Sequence, residues 1–202
     1  VSHRILHIVT NDYCCTTIMF ASTYVAEKVA EHFERQQKRE LITFLSVSEG
    51  DGRLGSLRGQ LFEGYAHNVL RKGGIFRIRK LGGNQEELIL KPRDEQLFVR
   101  LEDVDVTLDN YFRPVSKNFA SIDSLIPDVG LFQMTISPRH NIKTTTLKKW
   151  RDITGENKCL LYFVIPGLDL FQNYSVQRFI INNETQALDF VEQYVLEIVL
   201  KS

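Results

Sequence analysis

The chain is poor in cysteine, with three in 202 residues: Cys14, Cys15 and Cys159. Two are adjacent and no C-x-x-C spacing occurs, so the usual zinc-site patterns are excluded. A small, odd count points to a reducing compartment. No apolar run approaches the ~20 residues that a membrane-spanning helix needs. Neither sign of charge is in excess, since 25 Lys and Arg balance 25 Asp and Glu. The total charge therefore gives no argument for nucleic acid, although a local patch can still bind it. The stretch "GRLGSLRG" lacks both the phosphate-loop spacing and its Lys, "GDGRLGS" lacks the acidic register of a calcium loop, and no G-x-S-x-G elbow is present. His3, His7 and His32 belong to no HExxH pattern, and Cys14–Cys15 has no His-based constellation beside it. Classical hydrolase, kinase and nucleotide-binding readings are poor on these grounds. The chain starts at "VSHRILHIV" with neither an initiator Met nor a signal peptide, and is expected to be a piece of a longer protein.

What is present is ordinary for a globular domain: 43% hydrophobic and 25% charged residues. "SHRILHIVT" reads as a short strand. "FASTYVAEKVAEHFERQQKRELITFL" reads as one or two helices, with Val25, Val29 and Phe33 at four-residue spacing and Ser22 or Thr23 as cap. "SVSEGDGRLGS" is a loop and the best boundary, which divides the chain into 1–52 and 53–202. "SLRGQLFEGYAHNVLRKGG" is a helix striped by Leu57, Leu61, Tyr65 and Val69 and stopped by Gly73–Gly74. Gly59 and Gly64 inside it cost about 1 kcal/mol each against Ala; close approach of another backbone would explain them, and so would chance. "IFRIRKL", "EELILKP" and "QLFVRL" read as strands, with extended segments again near Tyr111 and Ile122. "GLFQMTIS" is a strand, "TTTLKKWRDIT" a Thr-capped helix followed by Gly155, and "KCLLYFVIP" a buried central strand. "YSVQRFII" reads as a strand. "ETQALDFVEQYVLEIVL" reads as an amphipathic closing helix with Leu188, Val191, Val195 and Ile198 inward. The order describes an α/β domain with a mixed sheet.

Alternation along "LFQMTIS" places Phe132, Met134 and Ile136 on one face and Leu131, Gln133 and Thr135 on the other. Asp123 lies ten residues before Gln133, and a hairpin across "LIPDVG" brings the two within ~5 Å. A carboxylate and an amide carbonyl are oxygen ligands suited to Mg²⁺. Gln60, Glu63 and His67 share one helix face. The competing reading is a hairpin whose polar face is merely solvated, with Glu63 and His67 as surface or packing residues. Arg139, His140, Lys143, Lys148, Lys149 and Arg151 follow the strand as a modest basic cluster able to neutralise phosphates, though a solvated helix face explains Lys148 and Lys149 equally well. Trp150 reads as core rather than as a base-stacking platform.

The segments "GSLRGQLFEGYAHNVLRKGGIFRIRKL", "YFRPVSKNFASIDSLI" and "GLFQMTISPRHNIK" resemble the C-terminal domain of Crinkler-type effectors and the related retrotransposon hot spot proteins, over about Gly55 to Ile165. That resemblance implies a PD-(D/E)xK, or restriction-endonuclease-like, fold: a mixed β-sheet flanked by helices, here with a small N-terminal helical appendage. The N-terminal segment looks like the trailing end of the P-loop NTPase module that precedes such nucleases, without its nucleotide-binding motifs. Glu63 matches the helix acid, Asp123 the metal-binding Asp, and Gln133 a tolerated variant of the second acid. Thr135 stands where the motif Lys is expected, and Arg139, His140 or Lys143 would have to reach back in its place.

The resemblance thus implies Mg²⁺ or Mn²⁺ held by Asp123 and Gln133 with Glu63 nearby, and His140 or Lys143 replacing the Lys. It implies DNA as substrate, bound through Arg139, Lys143, Lys148 and Lys149, and delivery to a host cell and its nucleus. Two rivals follow from the absent Lys: a catalytically silent fold that grips nucleic acid, and an effector module that engages a host protein.

Overall fold

The computed structural model describes residues 5–11, 15–36, 43–45, 47–48, 51–116, 119, 121–140, 142–181, 184–186 and 188–200. Two compact units divide the chain: residues 1–68 with 199–202, and residues 69–198.

The first unit opens with strands β1 (Leu6–Asn11) and β2 (Cys15–Phe20), an antiparallel hairpin in register from Leu6↔Phe20 to Asn11↔Cys15. The segment expected as a helical appendage thus carries a hairpin ahead of its helix. The β-branched run Thr16, Thr17, Ile18 favours the second strand, which takes up Phe20 before α1 (Thr23–Gln36) begins. Ser22 caps that helix, its Oγ accepting from Val25 N at 3.2 Å. Cys14 and the continuation of the helix over 37–42 lie outside the described residues. Helix α2 (Gly55–Lys72) follows, the last turn of which belongs to the second unit. Leu57, Leu61 and Tyr65 of its expected stripe are buried. Gln60 Oε1 accepts from Phe20 N at 2.8 Å, so this residue ties strand to helix. A Cβ added at Gly59 would meet nothing within 4 Å, so no close backbone approach accounts for that glycine.

The second unit is built on an eight-stranded mixed sheet. Its strands are β3 (Gly74–Lys80), β4 (Gln85–Leu90), β5 (Glu95–Phe98), β6 (Tyr111–Pro114), β7 (Ser124–Ile126), β8 (Gly130–Met134), β10 (Cys159–Pro166) and β13 (Val191–Ile198), in the order β4-β3-β13-β10-β8-β7-β6-β5. Gly73 ends α2 at φ 72°, and a Cβ there would lie 2.4 Å from Leu90 O. Strand β10 is parallel to both β8 and β13 and buried almost throughout, as its unbroken apolar run requires. A smaller sheet joins β9 (Ile142–Lys143), β11 (Phe179–Ile181) and β12 (Glu184–Gln186). Of "YSVQRFII", only the last residues are strand. Helices α3 (Thr144–Thr154) and α4 (Leu168–Asn173) complete the unit. Helix α3 ends on Gly155 at φ 68°, as expected, but its N-cap is Lys143, which gives no side-chain cap. Trp150 and Leu147 of α3 pack with Leu131, Leu161 and Phe163 in one core, which confirms Trp150 as a core residue. Burial pushes the Cys159 thiol up to about 12, consistent with a packing role.

The expected closing helix is instead strands β12 and β13. Strand β13 pairs in parallel with β10 from Cys159↔Val191 to Pro166↔Ile198 and antiparallel with β3. Between two neighbours it is buried on both faces, where alternation disappears from the sequence. Three of the polar residues that imitate the wet side of a helix face a partner across the fold. Glu192 accepts from Lys80 Nζ at 2.9 Å, Gln193 exchanges two hydrogen bonds with Gln177, and the buried Glu197 faces Arg77 Nη2 at 2.5 Å.

Candidate functional site

Strands β7 and β8 form a hairpin around Pro127–Val129, closed by Val129 N donating to Ile126 O at 3.0 Å. Gly130 starts β8 at φ 139°, where a Cβ would lie 2.6 Å from Leu160 O, so the turn and the packing both require glycine. The pairing Ser124↔Phe132 sets the register, and one residue earlier Asp123 comes opposite Gln133. Asp123 N donates to Phe132 O at 2.8 Å. Its Oδ2 accepts from Gln133 Nε2 at 2.6 Å and from Met134 N at 2.6 Å. The carboxylate thus fills the ladder position just before β7 begins, with two charge-assisted bonds. The hairpin expected from the ten-residue spacing is present, but its polar face is not solvated: Gln133 is 7% and Thr135 8% exposed.

Beneath the hairpin, the buried Tyr111 donates its hydroxyl to Ser124 Oγ at 2.8 Å, and burial pushes its phenol well above the ordinary range.

Beyond β8 the chain is stitched residue by residue. Thr135 Oγ1 accepts from Ser137 N at 3.0 Å, and Ser137 Oγ from Arg139 N at 3.3 Å. His140 N donates to Gln177 Oε1 at 2.7 Å. The same Gln177 exchanges bonds with Gln193 on β13, so a buried amide pair anchors this loop to the sheet. Lys143 N then donates to Ser121 Oγ at 2.6 Å, and that hydroxyl donates to Lys143 O at 3.0 Å. Ser121 holds a left-handed φ of 71°. This clasp ties Lys143 to the segment that enters Asp123, two residues before the carboxylate. Its side chain is exposed.

The predicted residues therefore divide. Asp123 and Gln133 touch. Lys143 is fixed by its backbone next to the segment carrying Asp123. His140 is half-buried, its imidazole makes no hydrogen bond among the described residues, and burial lowers its pKa below the ordinary 6.5. Arg139 and Lys148 are exposed, and Lys149 reaches Glu102 at 3.3 Å. Glu63 lies in the first unit, half-buried, with His67 Nε2 at 3.9 Å. Ser121, Gln177 and Gln193 were not singled out from sequence. Ser121 stood inside the quoted "FASID"; the two glutamines carry no local signal. Among the described residues, no three His, Cys, Asp or Glu side chains gather as a metal-binding group. No helix among them is long and apolar enough to cross a membrane.

No protein-family model matches the chain, and no solved structure matches it. It is 28% identical over 177 residues to Crinkler effector protein 15 of Phytophthora infestans, which takes in 83% of this chain and 29% of that protein. It is 28% identical over 159 residues to Crinkler effector protein 16 of the same organism, 75% of this chain and 26% of that protein. The chain thus spans less than a third of the length of the curated relatives it matches. The likeness supports a Crinkler-type effector.

Proposed function

We propose that this chain is part of a Crinkler-type effector, that its nuclease-like domain begins near residue 53 behind the tail of an NTPase-like module, and that the Asp123–Gln133 pair is where it meets a DNA phosphodiester. The observation that carries the reading is the fixed carboxylate of Asp123, held by Gln133 Nε2 and Met134 N at 2.6 Å each at the end of a buried hairpin. The donor chemistry fits a hydrated Mg²⁺ or Mn²⁺, which takes one or two carboxylates and keeps several waters. Gln133 now presents its N–H to Asp123, so its carbonyl becomes a ligand only when the amide turns over. Asp123 and Gln133 would hold the ion. When bound it would polarise the phosphate and lower the pKa of the attacking water.

The other roles fall to this chain's own groups. Lys143, clasped by Ser121, supplies the positive charge that Thr135 lacks. Burial favours the neutral imidazole of His140, the form that accepts a proton. Arg139, Lys148 and Lys149 contact flanking phosphates. Action inside a host cell and its nucleus belongs to the same proposal.

Plasmid DNA cleavage with Mg²⁺ or Mn²⁺ tests it, and unchanged cleavage by Asp123→Asn sinks the assignment. A second reading has its own observation. Thr135 is buried and bonded to Ser137, and Asp123 Oδ2 already holds two donors, an arrangement suited to a scaffold. A fold that only grips nucleic acid would show salt-dependent DNA binding and no metal-dependent cleavage.

A further inference from the structure

Strand β4 is one edge of the eight-stranded sheet, and among the described residues no strand lies beyond it. The hairpin register fixes which of its groups point outward. Lys80 N donates to Asn84 O at 3.2 Å, and Arg79↔Gln85 is the next pair. Hydrogen-bonded pairs alternate along an antiparallel ladder, so Glu86, Leu88 and Leu90 turn their backbone groups to β3. Gln85, Glu87 and Ile89 turn theirs to the open side, where no described residue bonds them. The side chains of these three share a sheet face with Ile75, which stands opposite Ile89. Ile75 is 68% and Ile89 73% exposed. An open edge beside two exposed isoleucines is a template for a further strand.

We propose that a second copy of this chain supplies that strand, its β4 running antiparallel to the first about a two-fold axis at Ile89. The sequence is self-complementary in this register. Ile89 meets Ile89 of the second copy, and Glu87 meets Lys91, the residue after β4. The outward N–H and C=O groups of the two Ile89 residues then face each other as a hydrogen-bonded pair. The isoleucines of both copies form one apolar stripe across the joint, with opposite charges on either side of it. A register centred on Glu87 instead sets like charges together, so the charges select the one centred on Ile89. Glu87 has no ion pair among the described residues. The Lys91 side chain is 64% exposed and pairs with Asp109, which Arg93 Nε also holds at 2.6 Å. Lys91 can therefore reach across the joint and leave Asp109 partnered. The joint uses no residue of the Asp123–Gln133 site and does not depend on the reading given above.

The test is sedimentation velocity of the whole 202-residue chain in EDTA, from about 1 to 200 µM. A monomer–dimer equilibrium with a Kd on the order of 10 µM is expected. Ile89→Lys sets like charges together on the axis and should weaken it at least about a hundredfold. At about 1 µM, where the parent is monomeric, that variant should melt like the parent, because the position is exposed. Glu87→Lys and Lys91→Glu should each weaken the dimer about tenfold. An equimolar mixture of these two variants should recover the parent affinity, since each copy then meets the opposite charge. Amide exchange at Ile89 should slow as concentration rises, while Leu88 and Leu90, already bonded to β3, stay unchanged. The proposal is overturned by a chain that stays monomeric at about 200 µM, or by a dimer that Ile89→Lys leaves intact. It is equally overturned by a variant mixture that stays weak, or by assembly beyond the dimer, which pairing of β4 with the opposite edge β5 would build. Asp123→Asn should dimerise normally, which separates this test from the cleavage assay.

Discussion

Gln133 donates its side-chain amide to the Asp123 carboxylate at 2.6 Å, and both belong to one hairpin. An amide is the one side chain of that length that can sit there without a cation and stay bonded. Gln133→Glu would set two carboxylates together and lose one hydrogen bond, at a cost of about 1–3 kcal/mol. In EDTA the variant is expected to melt several degrees lower, about 2–4 °C per kcal/mol for a chain of this size. Mg²⁺ or Mn²⁺ should restore most of the loss in the variant and shift the parent less. Melting curves with and without metal check it; a variant indifferent to metal would remove the strand pair from consideration as an ion site.

Lys143 separates position from charge. Its backbone makes the two bonds to Ser121, while its side chain is exposed. Lys143→Gln should leave the melting temperature within about 1 °C, since exposed substitutions of this kind change stability little. If Lys143 replaces the motif Lys, cleavage falls at least about tenfold, a loss of roughly 1.4 kcal/mol of transition-state stabilisation. Ser121→Ala removes the clasp instead, so it should lower both cleavage and stability. Equal cleavage by Lys143→Gln and the parent would return the role to Arg139 or leave it empty.

How much of this was legible in sequence follows from how local each signal is. Strand β10 announces itself by a continuous apolar run, and the Asp123–Gln133 pairing by alternation plus a ten-residue spacing around a turn. Strand β13 did not, because Leu188, Val191, Val195 and Ile198 also fit a helical stripe. What decides for a strand is distant: Glu192 meets Lys80, and Glu197 meets Arg77, more than a hundred residues earlier in the chain. The Ser121–Lys143 clasp and the Gln177–Gln193 pair join residues 22 and 16 positions apart with no periodic pattern between them. Tertiary contacts of this kind override propensity without leaving a local trace.

Glu192 gives a stability test by pH. Hydrogen bonds from Lys158 and Lys80 hold its carboxyl at about 2, against an ordinary 4.5. A carboxyl depressed in the folded state stabilises it fully above 4.5 and loses that contribution as pH falls toward 2. Glu192→Gln should therefore melt lower than the parent at pH 6–7, by about 2–4 °C, and the two curves should converge near pH 2. The gap should narrow in about 1 M salt, because Lys158 is largely exposed and Lys80 partly so. Thermal melts across pH 2–7 check both the convergence and the salt effect.

Two glycines in regular elements should respond in opposite directions. At Gly59, inside α2, an added Cβ meets nothing within 4 Å, and no left-handed φ stands in the way. Gly59→Ala should stabilise by about 0.5–1 kcal/mol through helix propensity and a less entropic unfolded chain. At Gly130 the φ of 139° and the 2.6 Å approach to Leu160 O leave no room. Gly130→Ala should cost about 2 kcal/mol or more, by strain and by pushing β8 away from β10. Because β8 carries Gln133, that shift also opens the bond to Asp123, and metal-dependent behaviour should be lost with it. Chemical denaturation of both variants, with amide hydrogen exchange at Met134 as the local probe, checks the pair; faster exchange of Met134 in Gly130→Ala alone is the expected signature, since that amide is donated to Asp123.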